Sequence, residues 1–527
     1  MSNGDAGRTP GDGEWRPRYN PWLVAVSVML GTFMEVLDTS VANVALPHIA
    51  GSLSATPSEA TWVLTSYLVS NAIILPASAW LSGFFGRKRF LMACILIFTT
   101  ASAVCGASLS LGMLIGARVL QGAGGGALQP IAQAILMESF PPARRGPAMA
   151  AYSMGVIVAP ILGPTLGGWI TDNYTWRWVF YINLPVGVIA LLMAQTFIED
   201  PPYIRRVERG RIDYIGFGFM ALWLSTLQVM LDKGQEDDWF SAPWIRWFAV
   251  ISVIAMIAFV VREVLAEHPI VDLRILRDRN FAVGTLMVTV LGVGLYGTTV
   301  QLPLFLQTLM NYPAMQSGLA LSPRGVGAML AAIVVGRLIG FIDSRVMIAA
   351  GFVLFGFSGI LYSHMTLDIS IWSVAFVGIV NGISTGLVFV PLSTTTLGRL
   401  RNEQMGNATG IYNLMRNIGG SVGISLVTTM LARAAQVHQN VLVQHLTPYD
   451  PMYLQKLQAL RADLAHHTDL VTASQQALGV LYNVLVQQAT LLAFSDNFRL
   501  LSFLGLGCAP LAALFARVMT RRISGAH

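Results

Sequence analysis

Two carboxylic acids lie in an otherwise apolar stretch near the start of the chain, GTFMEVLDTSVANVALP at residues 31–47. Glu35 and Asp38 are three positions apart, which places them on one face of a helix. Two carboxyl groups in a poorly hydrated cavity repel one another when both are ionised, so such a pair can take up and release a proton as its surroundings change. The alternative interpretation is a structural salt bridge.

Arg118, in GARVLQGAGGGALQP at residues 116–130, is the natural cationic partner of these acids. Judged from the ends of their apolar stretches, Asp38 and Arg118 both lie about 10–14 Å from the same membrane surface, at 1.5 Å per helical residue. A guanidinium beside Asp38 favours the ionised acid, and its withdrawal favours proton uptake. We therefore predict that Glu35, Asp38 and Arg118 couple proton movement to a change of conformation.

Two further arginines, Arg324 in LSPRGVG and Arg416 in NLMRNIGG, also lie inside apolar stretches. If they face a central cavity, its charge is mixed and anionic amphiphiles become plausible cargo; the alternative is anchoring at helix ends. Polar and aromatic residues elsewhere could line the same cavity, although packing in the core is the alternative role for each of them: Trp62, Tyr67, Asn71, Gln129, Tyr296, Phe305, Phe389, Tyr412 and Asn413.

The stretch GVIVAPILGPTLGG at residues 155–168 combines small residues with two prolines. Small residues let helices approach closely, and proline removes a backbone donor and bends a helix. Such a helix suits a rocking hinge, although a merely kinked packing helix has the same composition. The predicted hinge consists of Gly155, Pro160, Gly163, Pro164, Gly167 and Gly168.

The elements that carry these residues must be membrane helices. Only 11% of the 527 residues are charged and 54% are hydrophobic, whereas a soluble domain has about 25% charged residues. Fourteen segments are long and apolar enough to cross the bilayer: about 22–45, 59–82, 90–108, 111–138, 146–171, 176–198, 212–232, 242–264, 281–310, 314–339, 345–363, 370–396, 406–433 and 491–518. The sequence thus predicts an all-α membrane protein with the lipid bilayer as its solvent.

Positive charges predict the orientation of these helices, because Lys and Arg are enriched in cytoplasmic connections. Alternate connections are basic, and so are both tails, which predicts two cytoplasmic termini and therefore an even number of crossings. The basic residues are Arg87, Lys88 and Arg89; Arg144 and Arg145; Arg205, Arg206, Arg209 and Arg211; Arg274, Arg277 and Arg279; Arg399 and Arg401; and the terminal Arg8, Arg16, Arg18, Arg517, Arg521 and Arg522.

A weak internal repeat divides the chain. LQGAGGGALQP (120–130) and VNGISTGLVFVP (380–391) each have two glycines separated by three residues, with a proline four or five residues beyond. Duplicated halves around a midplane site are usual in transporters. We expect a disordered cytoplasmic N-terminus (1–20), a six-helix half (21–198), a cytoplasmic linker with two inserted helices (199–265), a second six-helix half (266–433 and 491–519), a periplasmic helical loop (434–490) and a cytoplasmic tail (520–527).

The polar loop at 434–490 has an amphipathic stripe of Tyr453, Leu457, Leu460 and Leu464, spaced as on one face of a helix. It is either a self-packed helical hairpin or a docking surface for a partner. Elsewhere the sequence has no ATP-binding loop, no zinc motif and no basic stripe for nucleic acid. We therefore expect no cofactor, no metal, no nucleic-acid partner and no enzymatic activity.

Several of these motifs together resemble the major facilitator superfamily, and within it the fourteen-span drug:proton antiporters of the EmrB/QacA type. The resemblance extends over about residues 20–519 and rests on LDTSVANVALP (37–47), RVLQGAGGG (118–126) and GVIVAPILGPTLGG (155–168). LDKGQEDDWF (231–240) and the long loop resemble EmrB-like members most closely. The resemblance implies a bacterial inner-membrane pump that works with an EmrA-like periplasmic adaptor and a TolC-like outer-membrane channel.

One motif departs from the family. Its loop after the second span usually reads GxLADRxGRK, and here it reads AWLSGFFGRK (79–88), with Gly83 in place of the aspartate. Gly86, Arg87 and Lys88 are retained. A cytoplasmic latch that depends on the acid is therefore in doubt.

The sequence as a whole predicts a proton-coupled antiporter that exports amphipathic drugs or toxic small molecules and so contributes to antibiotic resistance. Asp38, assisted by Glu35, would carry the proton. The alternative function is dedicated export of a metabolite, fatty acid or siderophore by the same mechanism.

Overall fold

The computed structural model describes residues 17–201, 213–267, 269–339 and 341–516, and the regular structure in these ranges is helical. The first half contains α1 (Pro21–Ser52), α2 (Pro57–Ala60), α3 (Trp62–Phe85), α4 (Arg87–Gly106), α5 (Leu111–Gly125), α6 (Leu128–Ser139), α7 (Arg145–Asn173), α8 (Trp178–Tyr181) and α9 (Asn183–Phe197). The inserted pair is α10 (Tyr214–Lys233) and α11 (Pro243–Leu265). The second half contains α12 (Arg279–Thr308), α13 (Ala314–Leu338), α14 (Ser344–Ser363), α15 (Ile371–Leu397), α16 (Met405–Val443), α17 (Pro451–Leu464) and α18 (Leu470–Cys508).

Short polar side chains cap the starts of many of these helices. Asn20 accepts a hydrogen bond from the backbone of Trp22, Ser110 from that of Met113 and Asp278 from that of Phe281. Such caps satisfy backbone N–H groups that have no partner inside the helix. They fix where these crossings begin, and hence the height at which their internal polar residues lie.

Thirteen helices of the described ranges are long and apolar enough to cross a membrane. The fourteenth crossing, predicted as one segment over 111–138, is instead two helices, α5 and α6, separated at Gly126 and Ala127. Pro130 explains the break, because its ring nitrogen cannot donate to the carbonyl four residues earlier, at Gly126. With this two-piece crossing the predicted fourteen-crossing fold is confirmed.

The helices form two bundles that meet along a central interface. In the first half α1 packs against α7 and α3 against α5, and in the second half α12 packs against α16 and α13 against α15. The two halves meet where α7 contacts α13 and where α16 contacts α3 and α6. The inserted helix α10 packs against α11, α3 and α16, so it joins both halves at their periphery.

Helices α16 and α18 extend through both boundaries that the sequence predicted for a separate loop at 434–490. Each has 39 residues and is therefore about 58 Å long, roughly twice the thickness of the hydrocarbon core. Helix α17 packs against α18. The segment thus consists of the outer ends of two membrane helices and one added helix.

We call the side on which α1 begins the inner side and the opposite side the outer side. An even number of crossings returns the chain to the inner side, where α18 ends. That the inner side is cytoplasmic stays a prediction from the positive charges. Part of that charge pattern lies outside the described residues: Arg8, Arg16, Arg205, Arg206, Arg209, Arg211, Arg517, Arg521 and Arg522, together with most of the N-terminal segment 1–20 and the tail 520–527.

Candidate functional site

Asp38 lies in a fully buried ion pair in the first half. Arg118 Nη1 donates to Asp38 Oδ2 over 2.6 Å, and both side chains are completely buried. The other carboxylate oxygen, Oδ1, accepts from Gln121 Nε2 at 2.8 Å and from Asn183 Nδ2 at 2.6 Å. The charge of Asp38 is therefore matched by a guanidinium, and both of its oxygens are hydrogen-bonded.

Arg118 is fixed by groups on the neighbouring helix α3 and on its own helix α5. Its Nε donates to the carbonyl oxygen of Val63 at 3.0 Å, and its guanidinium lies over the ring of Tyr67 at 4.2 Å. Its Nη1 also donates to Gln121 at 2.7 Å. A cation held over an aromatic face in this way gains stabilisation beyond the ion pair itself.

Glu35 has a separate and electrically different environment. Its Oε1 accepts from the hydroxyl of Tyr67 at 3.3 Å and from Asn71 Nδ2 at 3.1 Å, and its Oε2 accepts from Gln129 Nε2 at 2.6 Å. All three donors are neutral. The two acids share a helix, as predicted, but each has its own set of partners; Tyr67 joins the sets through its ring face and its hydroxyl.

A cavity of about 500 Å³ opens on the outer side between the two halves. The outer parts of α1, α7 and α12 form its walls, with Arg324 of α13 and Arg416 of α16 deeper inside. Asp172 and His48 also line it. The volume suits a small amphipathic molecule, and the lining carries both signs of charge.

Both cavity arginines are buried, and among the described residues no carboxylate lies within ion-pair distance of either one. Arg324 donates to the hydroxyls of Thr298 and Thr299 at 3.1 Å each. Arg416 donates to Gln129 Oε1, while its Nε and Nη1 atoms have no partner in the described ranges. A buried cation without a paired anion is costly, so this arrangement favours an anionic group in the cavity.

The structure distributes the predicted binding residues among several places. Tyr296, Arg324 and Arg416 line the cavity, and Tyr67, Asn71 and Gln129 contact Glu35. Three of the other side chains pack or bond beside the cavity: Phe389 lies under Arg416, the hydroxyl of Tyr412 has no described partner, and Asn413 donates to Gln133.

Two predicted residues lie away from the cavity. Phe305 packs edge to face against Phe494 in the second half, and Trp62 lies at the outer end of α3, beside Lys233 of α10. Phe305 is buried by helix packing, whereas Trp62 is 38% exposed, and a sequence alone does not distinguish either role from cavity lining.

Sequence reasoning missed several residues that line the cavity or contact Asp38. Ser40, Asn43, Pro47 and His48 of α1 all line the cavity, and their spacing of three, four and one places them on one helix face, a pattern that could have been found. Gln121 and Asn183, the amide partners of Asp38, were harder to identify from the sequence, since each is a single polar residue inside an apolar segment.

The predicted hinge forms the contact surface of α7. Pro164 leaves the carbonyl of Pro160 without its helical donor, and Ser40 of α1 replaces that donor with a hydrogen bond of 2.9 Å. A Cβ atom at Gly163 would collide with Ser40, whereas one at Gly155 would meet open space. The helix runs unbroken from Arg145 to Asn173.

Other members of the predicted hinge also lie at contacts. Gly167 faces Val41 of α1, and Gly168 approaches Met315 of α13. These positions show close packing; flexing at Gly155, Pro160, Gly163, Pro164, Gly167 and Gly168 stays a prediction.

The loop motif after α3 makes a compact contact on the inner side. Gly86 has φ +85°, a conformation that glycine adopts without strain. Arg87 forms a buried ion pair with Glu138 of α6, and the backbone of Lys88 donates to Asp200 at 2.7 Å. A second cavity of about 240 Å³ lies between Gly83 and the second half.

Comparison with known proteins agrees with this architecture. The sequence profile of the Major Facilitator Superfamily matches residues 28–424. The Multidrug export protein EmrB of Haemophilus influenzae is 38% identical over 82% of this chain and 84% of its own length. The Fatty acid resistance protein FarB of Neisseria gonorrhoeae is 36% identical over 93% and 95% of the two chains, and EmrB of Escherichia coli K12 is 36% identical over 90% and 91%.

A solved structure shares the fold. The crystal structure of the human organic anion transporter MFSD10 (TETRAN) superposes with a TM-score of 0.58, covering 93% of this chain and all of that one, at 14% identity. Two six-helix halves, a cavity between them, a buried Asp–Arg pair and a sequence match over most of the chain lead to one conclusion: the chain belongs to the Major Facilitator Superfamily.

Proposed function

We propose that this protein is a proton-driven antiporter that exports amphipathic small molecules, including drugs, from the cytoplasm. The observation that carries the proposal is Glu35, a buried acid with neutral hydrogen-bond donors whose partner Gln129 is bonded to the cavity residue Arg416. Support also comes from the printed names of relatives at 36–38% identity, which describe multidrug export.

The two acids take different roles in this proposal. Asp38 is neutralised by Arg118 in the present conformation, so it exchanges a proton only when Arg118 moves. Glu35 has no cation in direct contact among the described residues, and it is therefore the acid that takes a proton in this conformation. This assignment reverses the order that the sequence suggested, in which Asp38 was the carrier and Glu35 its assistant.

The conformation fits release of cargo to the outer side. The cavity is bounded by the outer parts of its helices, while α6 and α16 are joined beneath it by the hydrogen bond from Asn413 to Gln133 at 2.7 Å. Alternating access then requires the inner contacts to separate as the cavity closes.

Transport in proteoliposomes tests the proposal. With no ATP present, an imposed pH difference should drive uphill extrusion by the wild type, and Glu35→Gln and Asp38→Asn should each abolish it. The exposed acid Asp237 offers a matched control, since Asp237→Asn leaves both buried acids intact and should transport normally. Unchanged uphill extrusion by the Glu35→Gln/Asp38→Asn double variant would refute proton coupling through these acids.

The unpaired cavity arginines favour a second candidate function, the dedicated export of a fatty acid, acidic metabolite or siderophore by the same mechanism. A relative named for fatty acid resistance, 36% identical, supports this alternative. Competition in the same vesicles separates the two: a multidrug exporter accepts cationic dyes and lipophilic acids, whereas a dedicated exporter accepts its acid and is indifferent to the dyes.

We also propose that the protein resides in the bacterial inner membrane and acts with a periplasmic adaptor and a TolC-like outer-membrane channel. The relatives at 36–38% identity are bacterial proteins. The outer extension, which we define as residues 434–490, exposes Tyr449, Met452 and Leu470 to solvent. We take these exposed apolar side chains as the contact surface for an adaptor, which is the partner that the resemblance implies.

A further inference from the structure

A single amide side chain joins the proton-binding acid of the first half to a cavity arginine of the second. Gln129 Nε2 donates to Glu35 Oε2 at 2.6 Å, and Gln129 Oε1 accepts from Arg416 Nη2. Glu35 is 5% and Arg416 3% exposed. The three side chains therefore form a buried bridge, Glu35–Gln129–Arg416, that crosses the interface between the halves.

A second contact one turn further along provides a comparison. Gln133, four residues after Gln129 on α6, accepts from Asn413, three residues before Arg416 on α16. This lower bridge joins the same two helices, but it consists of neutral amides. Both bridges lie on the inner side of the cavity, so both must open before the cavity can connect to the inner side.

Charge distinguishes the two bridges. In the upper one a carboxylate lies at the donor end of the amide and a guanidinium at its acceptor end, so both hydrogen bonds are charge-assisted and each polarises the other. A proton on Glu35 removes one of these charges and weakens the bridge, since the hydrogen bond between Gln129 and Glu35 is then no longer charge-assisted. The lower bridge has no charge to lose.

We propose that Gln129 is the positioning residue that converts protonation of Glu35 into release of the two halves from the outward-facing arrangement. This inference rests on the proposed function and deepens it. While Glu35 is ionised the bridge holds the inner side closed, and the empty carrier cannot return. A proton that enters from the outer side breaks the bridge and permits the return of the empty carrier. Each export step must therefore be followed by the entry of a proton.

The other ionisable groups that face Glu35 come from several helices. They are Tyr67 of α3, Tyr152 of α7, Tyr296 of α12, Arg416 of α16 and, one turn away, the Asp38–Arg118 pair. Tyrosine and arginine ordinarily titrate near pH 10 and above. Asp38 is the one group that could mimic Glu35, and an Asp38→Asn background removes it.

Linkage fixes the sign of the pH effect. The state with the broken bridge binds the proton more tightly, so lowering the pH must favour that state. Spin labels at Ser52 and Thr308, exposed at the outer ends of α1 and α12 on opposite halves, report the outer opening by their distance distribution in nanodiscs. We expect the ratio of long to short distances to fall about tenfold or more between pH 8 and pH 5, as loss of one charge-assisted hydrogen bond allows.

A set of variants distinguishes a specific effect of the upper bridge from a general loss of protein stability. Glu35→Gln and Gln129→Leu should each give the low-pH distribution at every pH, and Arg416→Met, which cuts the other end, should do the same if Gln129→Leu fails to fold. Asn413→Leu is the matched control: it removes the lower bridge and should shift the distribution while keeping its pH dependence. Asp38→Asn should also keep the pH dependence of the distance distribution.

Two results would overturn the inference: a wild-type pH response in Gln129→Leu or Arg416→Met, or loss of the response in Asn413→Leu as complete as in those variants. Transport assays test the proposed function separately from the bridge. Proton-driven export by the wild type together with an unaltered pH response in Gln129→Leu refutes the bridge alone. A bridge-dependent pH response without pH-driven export refutes the proposed function alone.

Discussion

The charged side chain of Asp38 persists inside this bundle because both of its oxygens accept hydrogen bonds and one of them is paired with a guanidinium. Asp38 has Arg118, Gln121 and Asn183 around its two oxygens, and Arg118 in turn lies over Tyr67. Removal of one member of a buried ion pair leaves an uncompensated charge, and that costs about 3–5 kcal/mol, while replacing both can be nearly neutral.

Arg118→Met should therefore lower the stability of the folded protein by about 3–5 kcal/mol, and adding Asp38→Asn should recover much of that loss. Thermal unfolding in detergent measures both effects, and the difference gives the coupling between the two residues. Arg89→Met, at an exposed arginine, is the control and should change little. If Arg118→Met is as stable as the control, Asp38 is not charged in the resting protein.

Sequence reasoning reached some of these residues and not others. It located Arg118 and Asp38 at equal depth because helical rise is constant, so depth can be counted along the chain. It did not predict that Asn71 and Gln129 donate hydrogen bonds to Glu35, because an amide side chain can equally well contact cargo or donate to an acid. Which role applies depends on how helices distant in sequence pack against each other.

At the scale of the helix, α7 shows how a proline-rich segment stays regular. Its freed carbonyl at Pro160 is satisfied by Ser40 of α1, and Gly163 lets the two helices come close enough for that bond. Close packing requires these glycines to stay in fixed contact with α1, whereas flexing requires them to move. Substitution by alanine distinguishes the two roles.

Gly163→Ala should lower stability by about 1–3 kcal/mol, as overpacking does, and should reduce transport with it. Gly155 has nothing near its missing Cβ, so Gly155→Ala should be neutral or stabilise by about 0.5–1 kcal/mol. Thermal unfolding and vesicle transport check the two variants side by side. A Gly155→Ala variant that folds normally but transports slowly would support flexing at this position instead.

Helix ends were the least predictable feature of the elements. Hydropathy indicates where a helix meets lipid, but α16 and α18 continue as helices after their sequences become polar, since helix formation does not require apolar residues. Conversely, hydropathy is uniform across α5 and α6, where the backbone is interrupted near Pro130. The number of crossings could be predicted from the sequence, and their lengths could not.

At the scale of the whole molecule, the inserted helices act as a brace between the halves. Ser421 of α16 donates to Gln228 of α10 at 2.8 Å, and Trp239, after α10, donates to Thr429 of α16 at 3.0 Å. Lys233, at the other edge of α10, bonds to the carbonyl of Ser58 in the first half.

The outer extension adds an exposed surface outside the bilayer. Tyr449, Met452 and Leu470 are 94%, 74% and 77% exposed, so replacing all three by serine removes apolar area without disturbing the packed core. If this surface binds an adaptor, the triple variant should lose co-purification with it, while pH-driven transport in adaptor-free proteoliposomes stays at the wild-type rate. Phe341→Ser, at an 88% exposed residue of an inner connection, should retain both properties. Undiminished co-purification of the triple variant would show that the adaptor binds elsewhere.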